Sequence, residues 1–345
     1  MVLAPQGLVG SSGVALALAP APVRLDGIAQ LELAGRALAA LGPPVIVYNA
    51  SHSGSRLLAL MLKRLGVFMG ADLNESEDSL PVFDLVRYLV EAHAPDFSRL
   101  LDEGDAELPS RIRAAFRDHL AARPVGRWGW KLPETGHVLP VISRLFPDAA
   151  YIHLVRDGRD VAFSPFVAPK HPFWRKIYFN SDAITSWHGL AMTQRAYRAQ
   201  GHLFNAARWV NSVTLGRAHG AMLGRRYLEL HYEDVVADPD AALARLSAFL
   251  GIEAPWARFD RREVSTGSVG KWRAAPRRDV AGVRPILEPT LAAFGYRWDE
   301  RPAETRRLGE TLRRWVRWTA GSGVSAGPHA EPGGLGGLFR VRTRR

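Results

Sequence analysis

Residues 52–56, with the sequence HSGSR, form a stretch of small and basic residues that could hold an anion. They follow the apolar run VIVY, which is typical of a buried strand, and they precede a segment with helical spacing of apolar residues. The backbone N–H groups around Gly54 can approach a ligand closely, and the positive end of the next helix would point at it. The side chains of His52 and Arg56 add hydrogen-bond donors. The stretch is therefore a candidate phosphate site, although an ordinary strand-to-helix turn capped by Asn and Ser would use the same residues.

A second candidate anion site is RDGRDVAFS, residues 156–164. Arg156 directly follows the apolar run AAYIHLV, and Ser164 comes eight residues later, across the first turns of a predicted helix. An arginine and a hydroxyl held in this way bind phosphate through charge-assisted hydrogen bonds. The alternative is a surface turn whose charged side chains pair with each other.

The first stretch differs from the ATP- and GTP-binding loop G-x-x-x-x-G-K-[ST]. Asn49 stands in place of the first Gly, and residues 52–55 lack the Gly-Lys pair. This difference disfavours a nucleoside triphosphate site of that type.

The elements that would position these turns alternate between strand and helix. Apolar runs predict strands within residues 45–48, 128–130, 149–155 and 225–235, and residues 238–251 have the Asp start and Gly end of a helix. Repeated strand–helix units indicate an α/β fold of three layers, with a mostly parallel central sheet flanked by helices. Ligands of such sheets bind at the carboxyl ends of the strands, where both turns lie.

Composition indicates a globular chain of 345 residues, 47% of them hydrophobic, without an apolar run of the roughly 18 residues that a membrane span requires. The net charge is +11, but residues 301–345 hold ten Arg and three Glu, so most of the excess positive charge lies in this stretch. Specific nucleic-acid binding by the domain is therefore not expected. We expect a flexible leader over 1–27, one domain over 28–319 and a disordered basic tail over 320–345. Cysteine is absent, which fits a reducing compartment, and we expect a cytoplasmic protein. The sequence does not indicate its oligomeric state.

The two turns together resemble those of the sulfotransferases that use 3′-phosphoadenosine 5′-phosphosulfate (PAPS) as donor. HSGSR is similar to the [KR]-S-G-[ST]-[ST] segment that binds the 5′-phosphosulfate end, and residues 156–164 to the Arg and Ser that bind the 3′-phosphate. Residues 265–273, STGSVGKWR, resemble the late loop that closes over the nucleotide, and residues 227–239 the segment between. The resemblance spans about residues 45–298 and implies a P-loop-like fold with PAPS as co-substrate.

Carried over residue by residue, the resemblance implies one set of donor-binding residues. They are His52, Ser53, Gly54, Ser55, Arg56, Arg156, Ser164, Tyr232, Gly267, Ser268 and Arg273.

The catalytic positions match the family pattern less closely than the donor-binding positions do. His52 replaces the Lys or Arg of the first loop, and a neutral imidazole donates one hydrogen bond without a full charge, so we expect Lys131 to assist it. Pro133 stands where many relatives have a His base. Other branches use a Glu after the first helix, and Glu75, followed by Glu77, is our prediction for the base. In reserve for this role are Glu134 and His137.

The resemblance implies transfer of a sulfuryl group to a hydroxyl acceptor, with carbohydrates among the candidates. Trp209 and a group of aromatics at 173–187, comprising Phe173, Trp174, Tyr178 and Trp187, could shape the acceptor pocket or pack as core. We expect no metal, because the sequence lacks H-E-x-x-H and clustered carboxylates. Two alternatives stay open: a small-molecule kinase on the related fold, and a non-catalytic nucleotide-fold binding module with a basic tail.

Overall fold

The computed structural model describes residues 26–94, 96–121, 123–124, 126–165, 201–254, 257–259, 262, 264 and 266–298. At its centre is a parallel sheet of four strands in the order β2-β1-β3-β4. The strands are β1 (Val45–Asn49), β2 (Gly129–Lys131), β3 (Ala150–Val155) and β4 (Tyr227–His231). The predicted parallel sheet is confirmed, and the second strand begins one residue later than its apolar pattern indicated.

Helices surround this sheet. They are α1 (Gly27–Ala39), α2 (Ser55–Arg64), α3 (Leu80–His93), α4 (Ser98–Glu103), α5 (Leu108–His119), α6 (Leu139–Leu145), α7 (Gly158–Ala162), α8 (Gly201–Leu223), α9 (Tyr232–Ala237), α10 (Pro239–Leu250) and α11 (Arg277–Ala293). Short 3₁₀ turns lie at Pro133–His137, Gly224–Arg226, Thr266–Ser268 and Lys271–Ala274.

The side chains of β1 show why the fold has three layers. Successive strand residues point to opposite faces, and all five residues of β1 are buried. Ile46 and Tyr48 pack in one core with α1, α3, α5 and α6. Val45 and Val47 pack in another core with α2, α9 and α10. An apolar strand covered on both faces is what a helix-flanked parallel sheet requires.

A third cluster of apolar side chains extends the core beyond the end of β3. It joins Val155 to the apolar faces of α7, α8 and α11. The long helix α8 is thereby packed beside the carboxyl ends of the strands, where ligands of open parallel sheets bind.

Local signals explain several element boundaries. Asp238 caps α10, since its side chain accepts from the Ala241 N–H at 3.1 Å, and Gly251 ends this helix with a φ of 59°. Ser79 caps α3, with its hydroxyl accepting from the Val82 N–H at 3.3 Å. The Asp-to-Gly helix that the sequence predicted over 238–251 is thus confirmed.

Several sequence predictions concern residues outside the described part of the chain. They include most of the leader, the tail over 320–345 and the aromatics at 173–187. Among the helices that the structure describes, none combines the length and the apolar character needed to cross a membrane.

Candidate functional site

The loop between β1 and α2 has the backbone shape of an anion-binding turn. Gly54 adopts a φ of 83° immediately before α2, and His52 adopts a φ of 69°, a conformation uncommon for a residue with a side chain. The Ser53 side chain is fully buried, and its hydroxyl oxygen has no hydrogen-bond partner among the described residues. The loop therefore holds a buried polar group that a bound ligand could satisfy.

Tyr232, at the start of α9, lies directly against this loop. A Cβ built on Gly54 would come within 2.3 Å of the tyrosine ring, so only glycine allows this approach. The Tyr232 hydroxyl is 2.9 Å from the hydroxyl of Ser268 in the late loop. Tyr232 thus connects the first loop to the late loop, and its place beside the nucleotide base stays a prediction.

Arg156 brings the two predicted anion-binding turns together. It is buried at the end of β3, and its guanidinium donates to the backbone oxygen of His52 at 3.1 Å and to that of Ser268. The guanidinium carbon is 4.6 Å from the centre of the Tyr232 ring. The Nε atom of Arg156 has no hydrogen-bond partner among the described residues. Part of this buried cation thus remains available to an anion.

Ser164 lies at the other end of the second turn, beside a lysine that the sequence prediction missed. The Lys271 ammonium donates to the Ser164 hydroxyl at 2.8 Å, and that hydroxyl donates to the Asp160 backbone oxygen at 2.9 Å. Partial burial, followed by the charge of Arg156, lowers the pKa of Lys271. Lys271 lies two residues before the predicted Arg273, and the rarity of lysine in this chain was the signal that could have identified it.

The other predicted residues of the late loop are arranged differently. Ser268 contacts Arg156 and Tyr232, whereas Gly267 is exposed. The guanidinium carbon of Arg273 lies 4.8 Å from the centre of the Trp272 ring, on an exposed part of the loop. Their assignment to the nucleotide stays a prediction.

Asp160 fixes the late loop to α7. Its buried carboxylate accepts from the backbone N–H groups of Gly270 at 2.7 Å and Trp272 at 3.1 Å. Burial, with Asp157 second, raises the pKa of Asp160. This anchor holds Lys271 next to Ser164.

The side chain of Lys131 is buried at the end of β2. Its ammonium donates to the Asp78 carboxylate at 2.5 Å and to the backbone oxygen of Ser76. The two carboxylates predicted as bases lie on the same segment in different settings. Glu77 forms an ion pair with Lys63, and Glu75 is exposed. Their catalytic role stays a prediction.

Glu134 lies three residues after Lys131, in the 3₁₀ turn Pro133–His137. It is buried, and the hydroxyl of Ser51 in the first loop donates to its carboxylate at 3.2 Å. Burial, followed by the charge of Asp78, raises the pKa of Glu134 to about 7. A carboxyl with such a pKa, next to the first loop, could accept a proton near neutral pH. Burial distinguishes Glu134 from Glu75 and Glu77, and burial cannot be read from the sequence around it.

His52 lies in a strongly cationic part of the site. Although the residue is exposed, partial removal of its ring from water, followed by the charges of Arg208, Lys271 and Arg156, lowers its pKa to about 4. The ring is therefore neutral near neutral pH. Arg56, the other donor predicted for this loop, is exposed in the first turn of α2, and Ser55 is buried at the start of that helix.

Trp209, one of the aromatics considered for the acceptor pocket, is instead a core residue. It is fully buried, and its indole N–H donates to the backbone oxygen of Arg156 at 2.9 Å. A Cβ on Gly158 would clash with its ring, at 2.6 Å. Trp209 therefore packs against the second turn and stabilises its backbone.

The parallel sheet defines an α/β protein, and the turns at the ends of its strands carry cationic side chains beside a first strand-to-helix loop whose shape suits an anion. A family model described as "Sulfotransferase family" matches residues 43–258. The match covers more than half of the chain, and the chain belongs to this family of sulfotransferase enzymes.

Comparison with solved structures returns other sulfotransferases at low identity. One from Mycobacterium avium is 13% identical, with 80% of this chain and 85% of that chain covered and a TM-score of 0.41. One from Alicyclobacillus acidocaldarius is 14% identical, with coverages of 73% and 98% and a TM-score of 0.37. A mouse sulfotransferase complexed with PAP is 15% identical, with coverages of 80% and 89% and a TM-score of 0.40. No curated protein matches the chain.

Proposed function

We propose that this protein transfers the sulfuryl group of PAPS to a hydroxyl group of an acceptor molecule. The observation that carries the proposal is the meeting of the first loop and the second turn, where Arg156 donates to the backbone oxygen of His52 at 3.1 Å. One ligand with two anionic ends can therefore contact both turns. The family to which the chain belongs supports this donor.

Two buried polar atoms favour an anionic ligand at this place. The Ser53 hydroxyl oxygen and the Arg156 Nε have no partner among the described residues. An unsatisfied buried polar group costs about 1–3 kcal/mol, which phosphate oxygens would offset by accepting from both. These residues therefore fit a phosphate-bearing donor.

We assign the two ends of the donor to different residues. The backbone N–H groups of residues 53–55, at the start of α2, would hold the 5′-phosphosulfate. Arg156 and Ser164 would hold the 3′-phosphate, together with Lys271. Tyr232, packed on Gly54, would lie beside the adenine.

Glu134 is our candidate for the general base, ahead of Glu75 and Glu77. The acceptor proton moves to the Glu134 carboxylate as the acceptor oxygen bonds to sulfur. The bond between sulfur and the 5′-phosphate oxygen breaks at the same time, and adenosine 3′,5′-bisphosphate (PAP) leaves. A positioned base contributes about 10²–10⁴-fold to the rate, and a pKa of about 7 suits this task near neutral pH.

Lys131 is assigned to stabilising the transferred group. It is a buried cation at the carboxyl end of β2, held by Asp78, and it lies three residues before Glu134. Positive charge here would stabilise the oxygens of the sulfuryl group as it moves to the acceptor.

The proposed function is tested by ligand-dependent stability and by product analysis. PAP should raise the melting temperature, because a ligand that binds only the folded state stabilises it, whereas ATP should not. Mass spectrometry of hydroxyl compounds, carbohydrates among them, incubated with PAPS should detect the gain of one sulfate. An equal response to ATP with Mg²⁺-dependent phosphate release would point to a kinase, and PAP binding without transfer to any acceptor would point to a binding module.

A further inference from the structure

The first loop lacks the cation that a sulfuryl donor requires at its reacting end. His52 occupies the position where the resembling loops carry Lys or Arg, and its low pKa keeps it neutral. The Lys131 ammonium, assigned to the sulfuryl oxygens, is already paired with the Asp78 carboxylate and the Ser76 backbone oxygen, and Arg56 is exposed. A different cation near His52 and Glu134 would complete the site.

Arg208 lies on the part of α8 that packs against the second turn. On one side of it, Trp209 donates to the backbone oxygen of Arg156 at 2.9 Å. On the other side, Asn205 donates to the backbone oxygen of Ser164 at 3.1 Å. Both ends of the turn over 156–164 are therefore bonded to this short stretch of α8. Its position relative to the anion site is fixed by these bonds.

The side chain of Arg208 is held within the protein. Arg208 is 8% exposed, and its guanidinium carbon lies 5.8 Å from the centre of the Phe204 ring, one turn earlier on the helix. Such a position is common for arginines that bind phosphate or sulfate groups.

The guanidinium charge acts on groups at both sides of the site. It contributes to the low pKa of His52, after partial burial of that ring. It also opposes the rise in the pKa of Glu134 that burial and Asp78 cause. The charge of Arg208 therefore acts on both the first loop and the candidate base.

We propose that Arg208 supplies the positive charge that the first loop lacks, by contacting the sulfuryl oxygens and the oxygen that bridges sulfur and the 5′-phosphate. This inference rests on the proposed function. As the sulfur–oxygen bond breaks, the bridging oxygen gains negative charge and leaves on PAP, and a guanidinium positioned there stabilises that charge. The positive charge that stabilises the leaving oxygen thus comes from α8, which follows the second turn in the sequence.

The first test compares Arg208→Met with Arg225→Met. Arg225 is an exposed arginine in the 3₁₀ turn that follows the same helix. Loss of one preorganised contact to a developing oxyanion lowers kcat by about 10²–10³-fold. We expect this loss for Arg208→Met, with the Kd of PAP, which has no sulfuryl group, changed by less than about threefold. Arg225→Met should match the parent protein.

Two outcomes would overturn the inference while leaving the proposed function in place. One is a kcat of Arg208→Met close to that of Arg225→Met. The other is a parallel loss of kcat, PAP affinity and melting temperature, which would indicate a structural role. Absence of sulfate transfer and of PAP binding in the parent protein would instead reject the proposed function, and the inference with it.

Relocating the charge provides the second test. In the Arg208→Met background, His52→Lys should recover at least about tenfold in kcat, because it returns a cation to the first loop. Added guanidinium ion should partly rescue Arg208→Ala and have no effect on a Glu134→Gln variant. Failure of both rescues would exclude Arg208 as the source of this charge.

Discussion

The guanidinium of Arg156 donates to the backbone oxygen of His52 at 3.1 Å, across 104 residues of sequence. This contact joins the two turns because β1 and β3 are adjacent parallel strands whose carboxyl ends lie at the same edge of the sheet. The donor site proposed here depends on that adjacency.

Replacing Arg156 by Ala should weaken donor binding. Loss of a charge-assisted hydrogen bond to phosphate costs roughly 1.5–3 kcal/mol, which corresponds to at least about a tenfold rise in the KM of PAPS. Steady-state kinetics with varied donor measures this. Arg113→Ala, at an exposed position of α5, serves as the control and should leave KM unchanged. Donor kinetics that are equal in the two variants would reject the assignment of Arg156.

Glu134→Gln should remove most of the catalytic rate and change its pH dependence. A base acts only when deprotonated, so kcat/KM should rise with pH through the Glu134 pKa of about 7. We expect the variant to lose about 10²–10⁴-fold in kcat together with this acid limb.

Parallel variants of the other carboxylates separate the candidates for the base. Glu75→Gln and Glu77→Gln should retain the acid limb of the pH profile. If either loses it while Glu134→Gln keeps it, the base is that residue and Glu134 has no such role.

Glu134→Gln should also alter the dependence of the free energy of unfolding on pH. The pKa of Glu134 is raised from 4.5 to about 7 by folding, so the stability that its protonated form contributes is lost as pH rises through this interval. The stability of Glu134→Gln relative to the parent should therefore increase by roughly 3 kcal/mol between about pH 4.5 and pH 8. Urea unfolding at several pH values measures the difference, and a difference that is constant with pH would contradict the assigned pKa.

Gly54→Ala should disrupt the first loop. A methyl group would lie 2.3 Å from the Tyr232 ring, and the φ of 83° is unfavourable for alanine. Gly66→Ala is a matched control, because Gly66 has a φ of 79° with nothing within 4 Å of the added Cβ.

Gly54→Ala should weaken nucleotide binding, whereas Gly66→Ala should not. Both should lose about 1–2 kcal/mol of stability from backbone strain, and Gly54→Ala should also lose at least about tenfold in PAP affinity. Isothermal titration with PAP distinguishes them. Equal PAP affinity in both variants would show that the contact between Gly54 and Tyr232 has no role in binding.

Lys131→Met should lower kcat with little change in the KM of PAPS, because its proposed contact strengthens as charge develops in the transition state. The substitution also leaves the Asp78 carboxylate without its lysine. The double variant Lys131→Met/Asp78→Asn therefore controls for an uncompensated charge. Full kcat in this double variant would remove Lys131 from the mechanism.

Local sequence signals specify the strand-to-helix units and the two turns between them. Apolar runs of strand length, Gly54 before α2, and the Asp238 and Gly251 boundaries of α10 act within a few residues, so their effects can be read locally. Placement of both turns at one sheet edge then follows from the parallel order of the strands.

Long-range packing brings particular charged side chains together in the site. Glu134 acquires its pKa through burial beside Ser51 and Asp78, and Lys271 rather than Arg273 reaches Ser164 because Asp160 anchors the late loop. Arg208 comes from a helix that no motif connects to the first loop. Burial and Coulomb interactions depend on distances through space, and distant segments acquire those distances only when they pack together.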